Sequence, residues 1–426
     1  MELKEITKKD FEDYAIKHPL YTFHQTAEWA LLKEKNGWKH VYVGLLKNKK
    51  IIGSTLLLSK TTPIKKKMYY APRGFLIDFN DEELVKEFTK EIRTYVKKNN
   101  GIFVKIDPTI VYKQRNAEGE IVENGINNSG LISFLKKIGY KHYGLNKSNH
   151  KELQPRWVFV LPISDKKDDE IYSNFNTRTK RSIKKCNNSG VVVEEMQNKD
   201  LQIFKDIMEH TSTRRGFLDR PFSYYKNMIE VLENKCKIFI AYLDINKAVE
   251  LQNEIIKQEE SKILQFEKTK ESKKSQQGIE KSTAIIESAK TEIEKLMNLK
   301  KNNGEKIPLS SSMFLLAGSE MTYLFGGSYS EYMNYPSQYL IQCTAIRYAI
   351  NNKCELFNFY GIDGNLKEDG EMHGVYEFKR GFNGEVREYI GEFDLVVSKF
   401  YYFLYNVAFK MYKMFKHLLV KIKGGK

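Results

Sequence analysis

Asp107 stands where an acid can do chemistry, directly after the strand-like run Ile102–Ile106 and directly before Pro108. A carboxylate at the C-terminal end of a strand can take part in acid–base chemistry, and the same Asp-Pro pair also serves as a turn cap. The second concentration of reactive side chains is cationic. In Thr179-Lys180-Arg181-Ser182-Ile183-Lys184-Lys185 the cations Lys180, Arg181, Lys184 and Lys185 suit phosphate oxygens, and equally a solvated helix face. Other chemistries lack their residues. There is no GxxxxGK[ST] loop, no GxGxxG after a strand and no GxSxG elbow. The eight histidines are scattered without metal-ligand spacing, and Cys186, Cys236, Cys343 and Cys354 form no CxxC pair. No metal site and no covalent nucleophile is expected.

The elements that must position these residues repeat. Helical patterns near 8–17 and Thr26–Asn36 precede strand-like runs Val41–Leu46, Ile51–Ser59 and Met68–Ile77, a helix over Asp81–Lys98, and the run ending at Asp107. A basic helix over Asp168–Asn187 opens the second half. Helices near 199–213 and 222–234, strands Lys237–Leu243, 308–316 and 321–326, a helix Pro336–Asn351 and a strand Glu355–Tyr360 follow. Hairpin, helix, then a strand closed by an acid occurs twice, which makes Asp107 and Asp363 rough counterparts.

Within the second half, after the strand Lys237–Leu243, the insert Lys247–Lys301 has no proline and is dense in Glu, Lys and Gln. Apolar residues at Val249, Leu251, Ile255, Ile256, Ile263 and Leu264 face others at Ile279, Ile285, Ile286, Ile293, Leu296 and Met297. That spacing predicts an antiparallel two-helix arm bending at Ser275-Gln276-Gln277-Gly278; an oligomerisation coiled coil is the competing reading. The expected division is 1–155 for a first lobe, 156–246 and 304–395 for a second, 247–303 for the arm, and 396–426 for a basic amphipathic helix. On that last helix, at ~100° per residue, Phe400, Leu404, Val407, Met411, Phe415 and Leu418 share one face. Lys399, Lys410, Lys413 and Lys416 are expected opposite. An interfacial helix on a membrane and a terminal helix packed on the body both fit.

Lys and Arg number 70 against 54 acids, a formal charge of +16, which points to a phosphate-bearing partner such as nucleic acid or an anionic membrane. No apolar run reaches the ~20 residues that cross a bilayer, and the acidic N-terminus lacks the apolar core of an export signal. The expectation is a cytoplasmic protein, peripheral at the inner face of the membrane.

A set of strings, in order along nearly the whole chain, resembles the FemABX family of peptidoglycan interpeptide-bridge aminoacyltransferases. Phe23-His24-Gln25 with Trp29 and Lys33 resembles its F-x-Q-x-x-x-W-x-x-x-K helix, and Lys105-Ile106-Asp107-Pro108 its I-D-P strand end. Gln154-Pro155-Arg156-Trp157 is similar to the linker, and Thr179–Lys185 with Gly190-Val191 to the K-x-R-x-x-I…G-V string, with Cys186 in place of a small residue. Thr213–Phe217 with Arg220 and Tyr224, Tyr323–Ser328, and Val375–Phe382 resemble the remaining blocks.

The resemblance implies two acetyltransferase-like α/β lobes with a coiled-coil arm inserted in the second. It implies transfer of glycine, alanine or serine from aminoacyl-tRNA to the stem-peptide amine of lipid II or UDP-MurNAc-pentapeptide. No cofactor is implied beyond aminoacyl-tRNA as co-substrate. Lys379 would stabilise the oxyanion and Asp107 would hold or deprotonate the amine. Lys33 and Arg220 would grip the acceptor diphosphate, with Tyr224, Tyr323, Phe325 and Phe378 lining the cleft. Lys180, Arg181, Lys184, Lys185 and the arm would meet tRNA, and the chain would pair with itself or a relative. A coenzyme A-dependent N-acyltransferase and a non-catalytic membrane-edge scaffold are the alternatives.

Overall fold

In the computed structural model, residues 1–148, 152–197, 200–268 and 273–423 are described, with side chains placed as far as Met411. Strands β1 (Glu2–Glu5), β2 (Lys39–Lys47), β3 (Lys50–Thr61), β4 (Lys67–Ala71) and β5 (Gly101–Ile106) begin the first sheet. β2, β3 and β4 are antiparallel; the helix Glu82–Lys98 then crosses over to place β5 parallel to β4. Asp81 caps that helix by accepting from the Leu84 N–H at 2.9 Å. Val85, Phe88, Ile92 and Val96 are buried against the sheet, each worth about 1.5–3 kcal/mol of apolar burial.

The later strands are β6 (Val111–Gln114), β7 (Tyr140–His142), β8 (Trp157–Pro162), β9 (Val191–Glu195), β10 (Cys236–Asp244), β11 (Lys306–Ala317), β12 (Glu320–Ser328), β13 (Leu356–Gly361), β14 (Glu385–Tyr389) and β15 (Phe393–Val396). β10, β11 and β12 are antiparallel, and the helix Ser337–Asn351 crosses over to β13, parallel to β12. The second lobe thus repeats the topology of the first, and two α/β lobes of related topology with an inserted helical arm are the architecture of the chain.

The two sheets run β1-β2-β3-β4-β5-β15-β7 and β6-β14-β8-β13-β12-β11-β10-β9. Two strands therefore cross the expected boundary at 155. β6 leaves the first half to pair with β14, and β15 returns from the second half to lie against β5. Neither shows a clear two-residue alternation; their pairing partners define them. Lys105 of β5 then sits 3.0 Å from both Glu392 and Asp394 in a buried cluster. The lobes are laced together by this exchange.

Three further expectations are corrected. The basic stretch is not one helix but two, Asp168–Asn174 and Thr177–Asn188, because Asn176 is extended and caps the second through the Thr179 N–H at 2.8 Å. The arm is an antiparallel pair, Ile245–Glu267 and Lys273–Asn303, so Ser275–Gly278, expected as the bend, is helical. Gly278 serves packing instead: a Cβ there would lie 2.7 Å from the Phe266 ring. Ile286 and Leu296 are buried in the arm as expected, but Leu264 and Met297 face solvent. The C-terminal helix, Lys399–Lys423, packs on the body through Tyr402 and Tyr405, which lie on Phe103 at 5.4 and 5.2 Å, and leaves Phe400, Val407 and Met411 exposed. The expected positions Lys413, Phe415, Lys416 and Leu418 lie outside the described side chains.

Candidate active site

β5 delivers Asp107 to the junction of the lobes, where only 2% of it is exposed. Parallel pairing of β4 with β5 brings Tyr70 and the turn after β4 alongside. The Tyr70 hydroxyl donates to one carboxylate oxygen at 2.9 Å and the Arg73 N–H to the other at 2.7 Å. The Arg73 guanidinium donates to the Asp107 carbonyl at 3.4 Å and, across the linker, to the Pro155 carbonyl at 2.7 Å. Burial pushes the Asp107 carboxyl up to about 6, against the opposing pull of Arg73 and the two hydrogen bonds.

Lys379 lies in the last turn of the helix His373–Arg380 and is 4% exposed, not the surface lysine that its polar neighbours suggest. A register shift between Asn358 and Gly361 in the β13–β8 pairing, with Tyr360 at φ 64°, exposes two successive carbonyls. The Lys379 ammonium donates to the Gly361 carbonyl at 2.6 Å and to that of Tyr360 at 3.3 Å. Burial alone drives its pKa down to about 7. It has no carboxylate partner among the described residues, so its charge is uncompensated.

A third cationic position comes from helices of different lobes. The helix Ala27–Lys35 packs beside Phe222–Leu232, tied by Lys35 to Glu230 at 3.2 Å. Lys33 is half-buried, 4.2 Å from the Trp29 ring centre, and its pKa falls to about 8 through burial and then through the charge of Arg220. Arg220 lies over the Tyr224 ring at 5.5 Å. Neither cation has an acidic partner among the described residues. Two like charges held close without an acid form a site that an anion would complete.

The structure brings Asp107, Lys379 and Tyr224 to one residue, Tyr360, and Tyr224 in turn carries Arg220, whose charge reaches Lys33. The Tyr360 carbonyl accepts from Lys379, and its phenol, raised by burial, also feels Arg73, Asp107 and Tyr224. Tyr323 joins them, its ring 6.0 Å from the Lys379 ammonium; a Cβ on Gly326 would collide with its hydroxyl at 1.9 Å. Phe325 instead packs on Tyr225 at 5.6 Å, and Phe378 on Tyr339 at 4.8 Å, as supports. Lys180, Arg181, Lys184 and Lys185 stand apart on the helix Thr177–Asn188. That helix starts against the end of the lysine-bearing one: the Asn176 N–H donates to the Gly381 carbonyl at 2.9 Å.

Sequence reasoning missed Tyr70, Arg73, Gln154 as a bonding partner, His24 as a site residue and Tyr360. The Tyr360 hydroxyl donates to the Gln154 side chain at 2.7 Å. His24 is buried beside it, and burial holds the imidazole well below its usual pKa, so it is neutral. The available signal for that turn was the string Pro72-Arg73-Gly74, where the structure holds Arg73 at φ 55°.

Known proteins resemble this chain over nearly its whole length. Aminoacyltransferase FemA from Staphylococcus epidermidis is 32% identical over 419 residues, covering 97% of this chain and all of that protein. The Staphylococcus aureus FemA is 31% identical over 417 residues, covering 96% and 99%. The crystal structure of FemX superposes with a TM-score of 0.81 at 26% identity, over 95% of this chain and 99% of that one. The FemAB family model matches residues 6–410, and the chain belongs to that family.

Proposed function

We propose that this aminoacyltransferase extends the peptidoglycan interpeptide bridge, moving glycine, alanine or serine from aminoacyl-tRNA to the stem-peptide amine of lipid II or its soluble nucleotide precursor. The observation that carries the reading is the cluster of side chains linked through Tyr360 and Tyr224 at the junction of the lobes. It holds a buried carboxylate, a buried lysine with uncompensated charge, and a paired-cation site for a diphosphate.

The reaction is ester aminolysis. The amine nitrogen attacks the aminoacyl carbonyl carbon, the carbonyl π electrons move to oxygen, and the tetrahedral intermediate collapses by breaking the bond to the ribose oxygen. The amine loses a proton and the ribose hydroxyl leaves carrying one, so atoms and charge balance without nucleotide hydrolysis. Lys379 supplies a fixed ammonium for the oxyanion, in a site dry enough for the charge to act at full strength. Asp107, rigidly oriented by Tyr70 and Arg73, positions the attacking amine and can receive its proton. Lys33 and Arg220 hold the diphosphate of the acceptor. Arg220→Ala should raise the acceptor KM by about 10- to 100-fold, the usual range for losing a charged hydrogen bond, with kcat nearly unchanged. Steady-state kinetics at varied acceptor concentration checks this.

The helix Thr177–Asn188 presents Arg178, Arg181, Lys184 and Lys185 without acidic partners among the described residues, and it abuts the lysine-bearing helix. That placement supports it as the track along which the tRNA acceptor end reaches Lys379. Such phosphate contacts position without reading sequence. Reversing Arg181, Lys184 and Lys185 to glutamate should raise the KM for charged tRNA. It should also flatten the salt dependence, by about 0.7–0.9 in log–log slope for each phosphate no longer neutralised.

The direct test combines purified protein with tRNA charged with glycine, alanine or serine and either acceptor, reading the acceptor mass. One addition with one of these amino acids is expected. No transfer in any combination, under conditions where staphylococcal FemA works, would remove the proposal.

A further inference from the structure

We infer that the start of the C-terminal helix, with the adjoining edge of the first lobe, forms a docking site for an anionic lipid surface. The inference does not depend on the reaction above. The first turns of this helix are fixed about their own axis. The Tyr402 hydroxyl donates to Asp394 at 2.8 Å, and the same carboxylate oxygen accepts from Tyr143 at 2.5 Å. Lys105 holds the other oxygen at 3.0 Å. With Tyr402 and Tyr405 packed inward, Phe400 and Phe403 are each 65% exposed and Met411 61%, with Val407 between them. These side chains lie within an arc of roughly 100°. Fixed aromatic side chains in water, with the helix already anchored by its other face, mark an interaction surface.

Beside this stripe runs a groove between the C-terminal helix and the end of the helix Ser129–Lys137. It is lined by Lys136, Lys141, Lys399 and Lys410 around Tyr140, Val396 and Tyr402, with Phe403 on its rim. None of the four lysines forms an ion pair among the described residues. The sequence continues the pattern: after Asp394 there is no acid, while Lys413, Lys416, Lys421, Lys423 and Lys426 follow. Lysines flanking an apolar stripe match a bilayer surface, where phosphates receive the ammonium groups and the acyl boundary receives the rings. A second copy of the chain would bring the same positive charge and be repelled. Among the described residues no helix is long and apolar enough to cross a membrane, so the helix would lie on the surface. Because Lys105 precedes Asp107 by two residues, the anchor that fixes this helix is continuous with the strand that carries the cleft's carboxylate.

The test is sedimentation of the full chain with vesicles of phosphatidylcholine alone or with added phosphatidylglycerol, without tRNA or acceptor. Binding only to the phosphatidylglycerol vesicles, weakening with salt, is expected. The double variant Phe400→Ser with Phe403→Ser should bind at least about tenfold more weakly. Lys136→Glu with Lys410→Glu should lose at least about twentyfold, each lysine near an anionic surface being worth about fivefold in partitioning. Both variants should keep wild-type transfer to a water-soluble acceptor, which separates this result from the proposed function. The inference is overturned if the wild type does not bind, binds both vesicles equally, or binds no better than a folded variant. It is overturned equally if millimolar glycerol phosphate displaces the protein at constant ionic strength, or if the phenylalanine variant abolishes a dimer while the wild type ignores vesicles.

Discussion

Lys379→Ala is expected to lower kcat by about 100- to 1000-fold, the range for removing one oxyanion donor from a preorganised site. The acceptor KM should stay within a few-fold, because Lys33 and Arg220 are untouched. The size of the effect follows from the lysine's surroundings. The residue is 4% exposed and its ammonium is held by the Tyr360 and Gly361 carbonyls, and among the described residues no carboxylate neutralises the charge before the oxyanion forms. The pH dependence has a definite sign. Burial lowers this pKa to about 7, so the charged form is present below that value and is lost as pH rises through it. The kcat profile should therefore fall on its alkaline side near 7. Lys379→Arg keeps a permanent charge and should remove the alkaline fall even if its bulk lowers the plateau. A wild-type profile still rising through pH 8, with Lys379→Ala near full activity and normally folded by circular dichroism, would exclude lysine as the oxyanion partner.

How much of this was legible depended on how local each signal is. The arm shows in the sequence because a seam between two helices is written in the spacing of its own apolar residues. Its bend does not, because Gly278 looks like a turn residue, whereas its use is close packing with Phe266 across the seam. Asp107 was marked by its place at a strand end before proline. Its partners were not: Tyr70 and Arg73 come from more than thirty residues earlier, and only the parallel register of β4 with β5 brings them to the carboxylate. Burial of Lys379 was equally hidden, since a lysine next to an arginine reads as solvent-facing. It takes the bulge at Tyr360 to supply the carbonyls that hold it. Strands β6 and β15 escaped for a similar reason, being short segments whose state is set by a partner sheet rather than by their own pattern.

Asp107→Asn separates positioning from proton transfer, and it is expected to lower kcat by about 100- to 10,000-fold if the carboxylate receives the amine's proton. The amide is nearly isosteric. The oxygen that accepts from the Arg73 N–H can be kept by the asparagine carbonyl, but its NH2 group then meets the Tyr70 hydroxyl, which can turn to accept. The carboxylate's raised pKa gives the pH test. Burial lifts it to about 6, so the ionised form that can hold or deprotonate an ammonium appears only above that value. The wild type should lose activity as pH falls through about 6, and Asp107→Asn should flatten this acid limb while leaving the alkaline limb of Lys379 in place. If the loss is only about tenfold and the acid limb survives, Asp107 orients the amine and another base takes the proton. Tyr70→Phe then becomes the informative comparison. It removes one hydrogen bond that favours the carboxylate, so the acid limb should move to higher pH if Asp107 is its origin, and stay where it is if the substrate supplies the base. The two limbs together, one rising near 6 and one falling near 7, confine the active protonation state to a narrow window. Within it a buried acid and a buried base of opposite charge, both neighbours of Tyr360 with neither neutralising the other, are both ionised.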